Sequence, residues 1–307
     1  MKTRLGWTLA ALLLAAPVHA AVDVYGRINL SLERRSGPSG QQVVLADNAS
    51  RFGLVEAETI APALTAGVQF EKSFDASQGS ANASGFDRQA ELYLAVPGAK
   101  LSIGRFGSTA YLGIADAVSM HNHDTGISGD ALFAHVEPAG RKLGGTWNQG
   151  AWTVQLVTWM PDALAGGTRG AGVLLTCDVP GLSLAASLGG QGERAQRSVR
   201  ALWTAAQVDL GGYVQRDRNV YGHGERTVVR ASIAWRIEHA ELHLNVGTAG
   251  AYSGQAPGEG GARQATIAYN YRLSRRTKLY GLVSRVDARG TLYGNWLATA
   301  VGIRHNF

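Results

Sequence analysis

The sequence predicts an all-β protein folded as a transmembrane antiparallel β-barrel, and three observations lead to this prediction. Apolar and polar residues alternate through one segment after another, as strands with two different faces require. The segments are about ten residues long, which is the length of a tilted strand that crosses a bilayer. They are separated by turn residues such as Pro97-Gly98, or by longer stretches rich in Gly and Ser.

The chain begins with a predicted secretory signal. Lys2 and Arg4 precede an apolar stretch over residues 9–16, and small residues follow at positions 18 and 20. This apolar stretch is too short to span a bilayer, and no later segment approaches ~18 uninterrupted apolar residues. We expect cleavage after residue 20, which leaves residues 21–307 as a single barrel domain.

The alternation is clearest in the first mature segment, VDVYGRINLSLE, which begins at Val22. The apolar face consists of Val22, Val24, Ile28, Leu30 and Leu32. The polar face consists of Asp23, Tyr25, Arg27, Asn29, Ser31 and Glu33. The pattern returns in residues 64–71, 228–238, 241–246 and 264–273. Each segment therefore separates an apolar surface from a hydrated one.

Alternation alone is also compatible with a soluble β-sandwich. The polar face, however, carries charged residues and amides in segment after segment, and the apolar face carries Trp235, Tyr269 and Tyr271 near strand ends. This combination favours a closed barrel with lipid outside and water inside, because lipid cannot satisfy an open sheet edge. The length of the chain suits sixteen strands and a water-filled lumen. The expected long loops are residues 34–48, 73–86, 106–140, 216–226 and 250–262.

Composition excludes several other classes of protein. The formal charge of +6 falls to +4 once Lys2 and Arg4 are removed, and no basic run accompanies it, so nucleic acid is not an expected partner. The single cysteine, Cys177, excludes an intramolecular disulfide and a CxxC metal site. His121-Asn122-His123-Asp124 has the donor types of a zinc or copper site, but a spacing of two in a loop is weak evidence. We expect no metal and no cofactor.

Five fragments carry a resemblance to a known family: VYGRINLSLE, ASRFGLVEAET, DRQAELYLAVPG, LSIGRFG and the terminal GIRHNF. Their order and spacing resemble the general diffusion porins of Gram-negative outer membranes, of the β-proteobacterial type. The resemblance implies a sixteen-stranded homotrimer with short periplasmic turns, longer extracellular loops and a third loop folded into the lumen. It also implies a location in the outer membrane among lipids and lipopolysaccharide. Small hydrophilic solutes and ions would diffuse through such a barrel. The terminal Phe307 would be the signal that the barrel-assembly machinery recognises.

The same resemblance implies which residues line the narrowest part of the pore. A basic ladder on the wall would consist of Arg27, Arg51, Arg88 and Arg141. Alternation places Arg27 and Arg51 on the polar face, whereas Arg88 shares the register of apolar residues and would need a bulge to face inward. The sequence around Arg141 gives no decisive register. Because arginine stays charged at any relevant pH, such a ladder predicts a preference for small anions.

The candidate third loop, residues 106–138, would supply the opposing acids. These are Asp116, Asp124, Asp130 and Glu137, with Asp116 matching the family position best. The Pro-Glu-Phe-Gly run of enteric relatives is absent, which leaves the loop conformation open. Arg105 lies on the apolar face beside Ile103, where the resemblance implies a contact between subunits; a side chain that reaches the lipid headgroups is the alternative.

Other functions remain open from the sequence alone. A substrate-specific channel would share these features. An outer-membrane barrel enzyme would need a hydroxyl nucleophile, a histidine and an orienting acid at one height, and the serines and histidines show no such grouping within any segment. A structural or adhesive barrel would be indicated by much longer loops. We therefore expect a channel and no enzymatic activity.

Overall fold

The computed structural model describes residues 22–81, 84–120, 130–160, 168–255, 260–290 and 293–307, so the predicted signal over residues 1–20 lies outside the described part. Most of the described chain belongs to one antiparallel sheet. Its strands are β1 (Asp23–Gly37), β2 (Gly40–Asp47), β3 (Arg51–Ala61), β4 (Leu64–Asp75), β5 (Ser80–Ala81), β6 (Gln89–Val96), β7 (Ala99–Phe106), β8 (Gly140–Gln149), β9 (Trp152–Trp159), β10 (Gly170–Val179), β11 (Leu182–Gln191), β12 (Arg194–Ala205), β13 (Val208–Arg218), β14 (Glu225–Ile237), β15 (Ala240–Ala249), β16 (Ala262–Arg272), β17 (Thr277–Ala288) and β18 (Trp296–Asn306). The helix α1 (Thr109–Ile114) and a 3₁₀ turn (Asp116–Val118) follow β7.

The sheet closes on itself because the first strand pairs with the last. The β1–β18 register runs from Arg27 opposite Asn306 to Ser36 opposite Leu297. β2 and β3 both pair with β1 and form one interrupted wall strand, whereas β5 pairs only with the end of β4. Counted in this way, the described residues form a closed barrel of sixteen wall strands, which confirms the predicted fold. Closure leaves no unpaired edge, as a barrel in lipid requires.

The interruption between β2 and β3 is stabilised by side chains in place of the backbone ladder. Ala49 has a φ of +58°, in the left-handed region, so regular pairing stops there. The Asn29 amide N–H donates to Oγ of Ser50 at 3.0 Å, and Asn29 Nδ2 donates to the Asn48 carbonyl at 3.0 Å. Asn48 Nδ2 in turn donates to Oγ of Ser31 at 2.7 Å. The break therefore leaves these buried groups hydrogen-bonded.

Connections at one end of the barrel are short, and most of those at the other end are long. Two-residue turns such as 97–98 and 150–151 alternate with loops at 76–88, 107–139, 160–169, 219–224, 250–261 and 289–295. The prediction of a loop over residues 34–48 is wrong. β1 continues to Gly37, and β2 returns from Gly40 after a two-residue turn, with Gly40 at a φ of +108°. Val43 and Leu45 alternate with polar neighbours and face outward, so this stretch extends the wall.

The two faces of the wall differ as the alternation predicts. Outward side chains such as Val301, at 62% exposure, are apolar, whereas inward Asn29 and Glu33 are fully buried among polar groups. Exposed aromatic residues collect on the outer surface towards the short-turn end: Trp147, Trp152, Trp203, Trp235, Tyr269 and Tyr271. This distribution is typical of a barrel whose apolar band faces lipid. Among the residues that the structure describes, no helix has the length and apolar character needed to cross a bilayer.

The terminal residue completes the closure. The Phe307 N–H donates to the Gly26 carbonyl, and the Gly26 N–H donates to the Phe307 carbonyl, both at 3.1 Å. A Cβ at Gly26 would lie 2.3 Å from Cζ of Phe307 and 2.8 Å from the Arg51 carbonyl oxygen. The phenyl ring therefore covers Gly26 on the outer wall. Any larger residue at this position would require the backbone to shift.

Candidate functional site

The third loop connects β7 to β8, and its described parts, residues 107–120 and 130–139, enter the barrel. Ser108 caps α1, since its Oγ accepts from the Tyr111 N–H at 3.2 Å. Ile114 and Val118 have no exposed surface and pack in a buried cluster that includes Leu174 and Tyr213 of the wall. The apolar residues of this loop thus bind it to the inner surface and narrow the lumen.

Polar side chains on the far wall hold the backbone of the loop. Ser232 Oγ donates to the Val118 carbonyl at 2.7 Å, and Asn245 Nδ2 donates to the Ser119 carbonyl at 2.8 Å. On the returning part of the loop, Gln215 Nε2 donates to the Ala134 carbonyl at 3.3 Å. The loop is consequently fixed to the wall opposite its own root.

The root of the loop is held by a buried ion pair. Lys142 Nζ donates to Glu137 Oε1 at 2.6 Å, and both side chains are almost completely buried. The Glu137 carboxylate also accepts from the N–H groups of Thr109 at 2.9 Å and Ala110 at 3.1 Å, at the start of α1. Lys142 donates in addition to the Gly107 carbonyl at 2.7 Å. Glu137 therefore ties the two ends of the loop together and does not lie among the acids that face the basic ladder.

Cationic side chains line the wall over β17, β18, β1, β3 and the residue before β6. We call them the basic arc, and its members are Arg27, Arg51, Arg88, Lys278 and Arg304. Lys278 lies opposite Arg304 in the β17–β18 register. Arg27 lies opposite both Asn306 and Arg51, and within electrostatic range of Arg51, Arg304 and Arg88. The structure thus brings three of the four predicted ladder residues together and adds two that the sequence did not single out.

The carboxylate of Glu71 on the wall is shared by two arginines of the basic arc, and Glu241 lies within electrostatic range of Lys278. Glu71 Oε1 accepts from Arg88 Nε at 2.5 Å, while Oε2 lies 3.5 Å from Arg51 Nε and accepts from the Tyr25 hydroxyl at 3.0 Å. Arg88 reaches this inward carboxylate without a bulge. It precedes β6, whose pairing with β4 begins at Gln89, so the strand alternation does not constrain it.

The loop acids take different positions. Asp116 is exposed to the lumen and lies within electrostatic range of Arg27 and Arg51. Desolvation inside the barrel raises the pKa of Asp116, as does Asp130, and the two arginines act in the opposite direction. The Asp130 carboxylate accepts from the Tyr111 hydroxyl, whose pKa is raised by burial and by this carboxylate. Asp124 lies outside the described residues, together with His121 and His123.

Arg141 does not join the basic arc. It shares the outward register with exposed Leu143, and the inward position belongs to its neighbour Lys142. The prediction that Arg141 lines the pore therefore has to be corrected. The residue that faces inward is the next one, Lys142, and it holds the root of the third loop. Arg105 is also on the outward face, directly opposite Arg141, and its Nε donates to the Asp87 carbonyl at 2.6 Å.

Sequence reasoning missed Glu71, Lys278 and Arg304 as members of the site. A signal was present for Arg304, which shares the polar register of the last strand with Asn306 and therefore faces Arg27 once the barrel closes. Glu71 also lies on the polar face of its segment. Its role depends on Arg88, which is distant in sequence and becomes its partner only through the β4–β6 pairing.

Comparison with known proteins gives one family. A family model described as Gram-negative porin matches residues 7–291. No curated protein sequence is similar enough to give a significant match. The matched segment covers nearly the whole chain, including every member of the basic arc except Arg304.

Solved structures share the fold at low sequence identity. An anion-selective porin from Comamonas acidovorans has a TM-score of 0.78 and 19% identity, over 94% of this chain and 100% of that one. A loop-deletion mutant of the outer membrane protein OmpT of Vibrio cholerae has a TM-score of 0.74 and 13% identity, over 94% and 99%. A mutant porin of Rh. blastica has a TM-score of 0.73 and 15% identity, over 94% and 100%.

Proposed function

Because this chain belongs to the Gram-negative porin family, it forms an outer-membrane diffusion channel, and we propose that the basic arc gives this channel a preference for small anions. The observation that carries the proposal is the charge balance around the narrowed lumen. Five cationic side chains of the wall are matched by three carboxylates: Glu71 and Glu241 on the wall, the latter within electrostatic range of Lys278, and Asp116 on the loop. An anion passing between loop and wall meets net positive charge, which lowers its free energy relative to a cation.

The chemistry of the arc supports inorganic and small organic anions as the favoured solutes. Arginine carries a fixed charge, and its planar fork suits carboxylate and phosphate oxygens. The Comamonas protein with the same fold is itself described as anion-selective.

The test is the reversal potential of the purified protein in a planar bilayer under a KCl gradient. We expect an anion-selective potential in the natural protein and a potential much nearer zero in Arg27→Ala/Arg51→Ala. Removal of one unit charge at ~8 Å in water changes the energies of an anion and of a cation by about 0.5 kcal/mol each, in opposite directions, so both substitutions together lower the anion-to-cation permeability ratio about thirtyfold. Arg34→Ala is the matched control, because Arg34 faces outward and bonds Gln41 at 2.9 Å. Cation preference in the natural protein would contradict the proposal.

We further propose that the chain assembles as a homotrimer through the outer face of β3–β8. This sector carries charged side chains in the outward register, namely Glu56, Glu58, Lys72, Arg105 and Arg141. A charged side chain in the lipid-facing register destabilises a barrel by an amount that increases towards the bilayer midplane, so contact with another subunit suits these positions better. Cross-linking of a single cysteine at position 105, in Cys177→Ser protein, tests this; a product no larger than one chain would contradict it.

Two remaining expectations belong to this proposal. We propose that Phe307 serves as the assembly signal, since it closes the barrel seam on Gly26.

We also propose that the protein catalyses no reaction, as its family points to a channel. Purified protein assayed with chromogenic esters and peptides should show no hydrolysis above that of a heat-denatured sample.

A further inference from the structure

A cavity of about 610 Å³ lies inside the barrel between the helix α1 and the short-turn end. Leu112 of α1 lies on one side of it, and Asp178 and Ser183, which flank the short turn at 180–181, lie on the other. The described residues that line it include no member of the basic arc. A volume of this size is typical of sites for small organic molecules. The cavity can therefore hold a solute on the short-turn side of the third loop.

The charges that line the cavity are balanced. Its charged side chains, among the described residues, are Glu91, Lys100, Asp178 and Arg200, so two negative and two positive charges cancel. Glu91 Oε1 accepts from Lys100 Nζ at 2.8 Å, and its Oε2 accepts from Gln89 Nε2 at 2.6 Å, so this carboxylate is satisfied within the wall. Unlike the basic arc, a balanced lining does not favour anions over cations.

Arg200, on β12, has hydrogen-bonding capacity that the protein does not use. The residue is only 7% exposed, and its Nη2 donates to Ser183 Oγ at 2.6 Å. Its Nε has no hydrogen-bond partner among the described residues. Buried polar groups are almost always hydrogen-bonded, and a guanidinium suits a carboxylate because it presents parallel N–H donors. Arg200 therefore favours a ligand that carries a carboxylate.

The carboxylate of Asp178 lies beside this guanidinium. Asp178 is opposite Ser183 in the β10–β11 pairing, and Ser183 Oγ donates to Asp178 Oδ1. Because Ser183 bonds both groups, Arg200 Nη2 and Asp178 Oδ1 lie within about 5 Å of each other at ordinary hydrogen-bond lengths. Asp178 is exposed to the lumen, so it can accept from an ammonium group. The two side chains are thus close enough to contact both charged groups of one α-amino acid.

An apolar surface lies next to these charges. The helix α1 packs against β10, β11 and β12, which are the strands that carry the Asp178–Ser183–Arg200 group. Leu112 of α1 is 53% exposed and lines the cavity, as does Phe106. In a water-filled lumen, covering such a surface with an apolar group is favourable. A ligand that fits the cavity therefore carries an apolar group beside its two charges.

We propose that this cavity binds a zwitterionic α-amino acid with an apolar side chain. Arg200 holds the carboxylate, Asp178 accepts from the ammonium group, and the side chain packs on Leu112. The site is separate from the basic arc and serves solutes without net charge, for which the arc provides no preference. A sugar would leave Arg200 and Asp178 without ionic partners. A simple anion would leave Asp178 and the apolar surface without a contact.

The experiment measures binding of L-leucine to the purified protein in detergent by saturation-transfer NMR. This measurement does not depend on ion flow, so its outcome is independent of the selectivity of the channel. We expect Arg200→Gln to raise the apparent Kd at least tenfold, because the substitution removes a charge-assisted contact. Arg35→Gln is the matched control and should leave the Kd unchanged. Arg35 shares the inward register of Glu33 on β1, pairs with Glu33 at 2.5 Å, and does not line the cavity.

Competition identifies the class of ligand. N-acetyl-L-leucine and L-leucinamide each lack one of the two charges, so each should displace L-leucine at least tenfold less effectively than L-leucine itself. Equal competition by either compound would overturn the proposal, because it would show that both charges are not required. Effective competition by glucose would assign the cavity to neutral sugars instead.

The variants give the remaining outcomes. Unchanged L-leucine affinity in Arg200→Gln would place the ligand elsewhere and overturn the proposal. If Arg200→Gln fails to fold, Asp178→Asn provides the same comparison, because this side chain is exposed and the substitution keeps its shape. We expect at least tenfold weaker binding in Asp178→Asn, and unchanged affinity in the folded variant would equally count against the site.

Discussion

Arg88 donates from Nε to Glu71 Oε1 at 2.5 Å, and this contact joins a residue outside the strands to the pore wall. The same carboxylate lies 3.5 Å from Arg51. Glu71 therefore reduces the positive charge of the basic arc while it positions two of its members. This relationship makes Glu71 the first residue to change in a test of selectivity.

We expect Glu71→Gln to increase the preference for anions. The substitution removes one negative charge and keeps a side chain of the same shape. The energies of an anion and of a cation each change by ~0.5 kcal/mol in opposite directions, so the anion-to-cation permeability ratio should rise about fivefold. The measurement is the reversal potential under a KCl gradient. Glu58→Gln, in the outward register of β3, is the control and should leave the ratio unchanged. A lower ratio in Glu71→Gln would show that positioning of Arg51 and Arg88 outweighs the charge.

Selectivity should depend on pH through Asp116. Its raised pKa means that it takes up a proton at a higher pH than an ordinary aspartate, and protonation removes a negative charge from the lumen. Anion preference should therefore increase as the pH falls through this pKa, and decrease again as the pH rises. Reversal potentials between about pH 4 and 7 measure the effect, since the ordinary aspartate pKa is ~3.9. Asp116→Asn should abolish this step and Asp287→Asn should retain it; an identical step in both variants would assign the titration to another group.

Loss of the buried pair at the loop root should release the third loop. Lys142→Met leaves the Glu137 carboxylate buried without its cation, which destabilises the local structure by about 3–5 kcal/mol. We expect faster amide hydrogen exchange in residues 107–120 and larger current fluctuations, with the barrel still folded. Arg285→Met is the control, because both side chains of its pair with Asp287 are more than half exposed and such pairs contribute only ~0–1 kcal/mol. Equal exchange in the two variants would contradict the anchoring role of Lys142.

Gly26→Ala should slow closure of the barrel. Its Cβ would collide with the Phe307 ring and with the Arg51 carbonyl, and overpacking of this kind destabilises by about 1–3 kcal/mol. The fraction that folds into lipid vesicles, followed by the heat-dependent shift in gel mobility, should fall. Gly281→Ala is the matched control, since a Cβ there would meet no atom closer than 3.7 Å. Normal folding of Gly26→Ala would show that the ring has room to move.

The sequence predicts the faces of the strands well and their ends poorly. Arg27 and Arg51 face inward as alternation requires, because lipid and water select opposite registers along the whole wall. Arg88 and the stretch over residues 34–48 deviate for the same reason: where β6 begins and where β1 turns depend on pairing partners that are distant in sequence. Arg141 shows the limit of fragment matching, since a shift of one residue exchanges the inner and outer faces.

The hydrogen bonds from Ser232 and Asn245 to the third loop have a further consequence for permeation. The described parts of this loop are attached at its two roots and at the opposite wall, so we expect them to resist gradual displacement by a large solute. Enlarging the aperture would require these attachments to break together. Permeation rates should accordingly fall steeply over a narrow range of solute diameters, which gives the channel a sharp size cut-off.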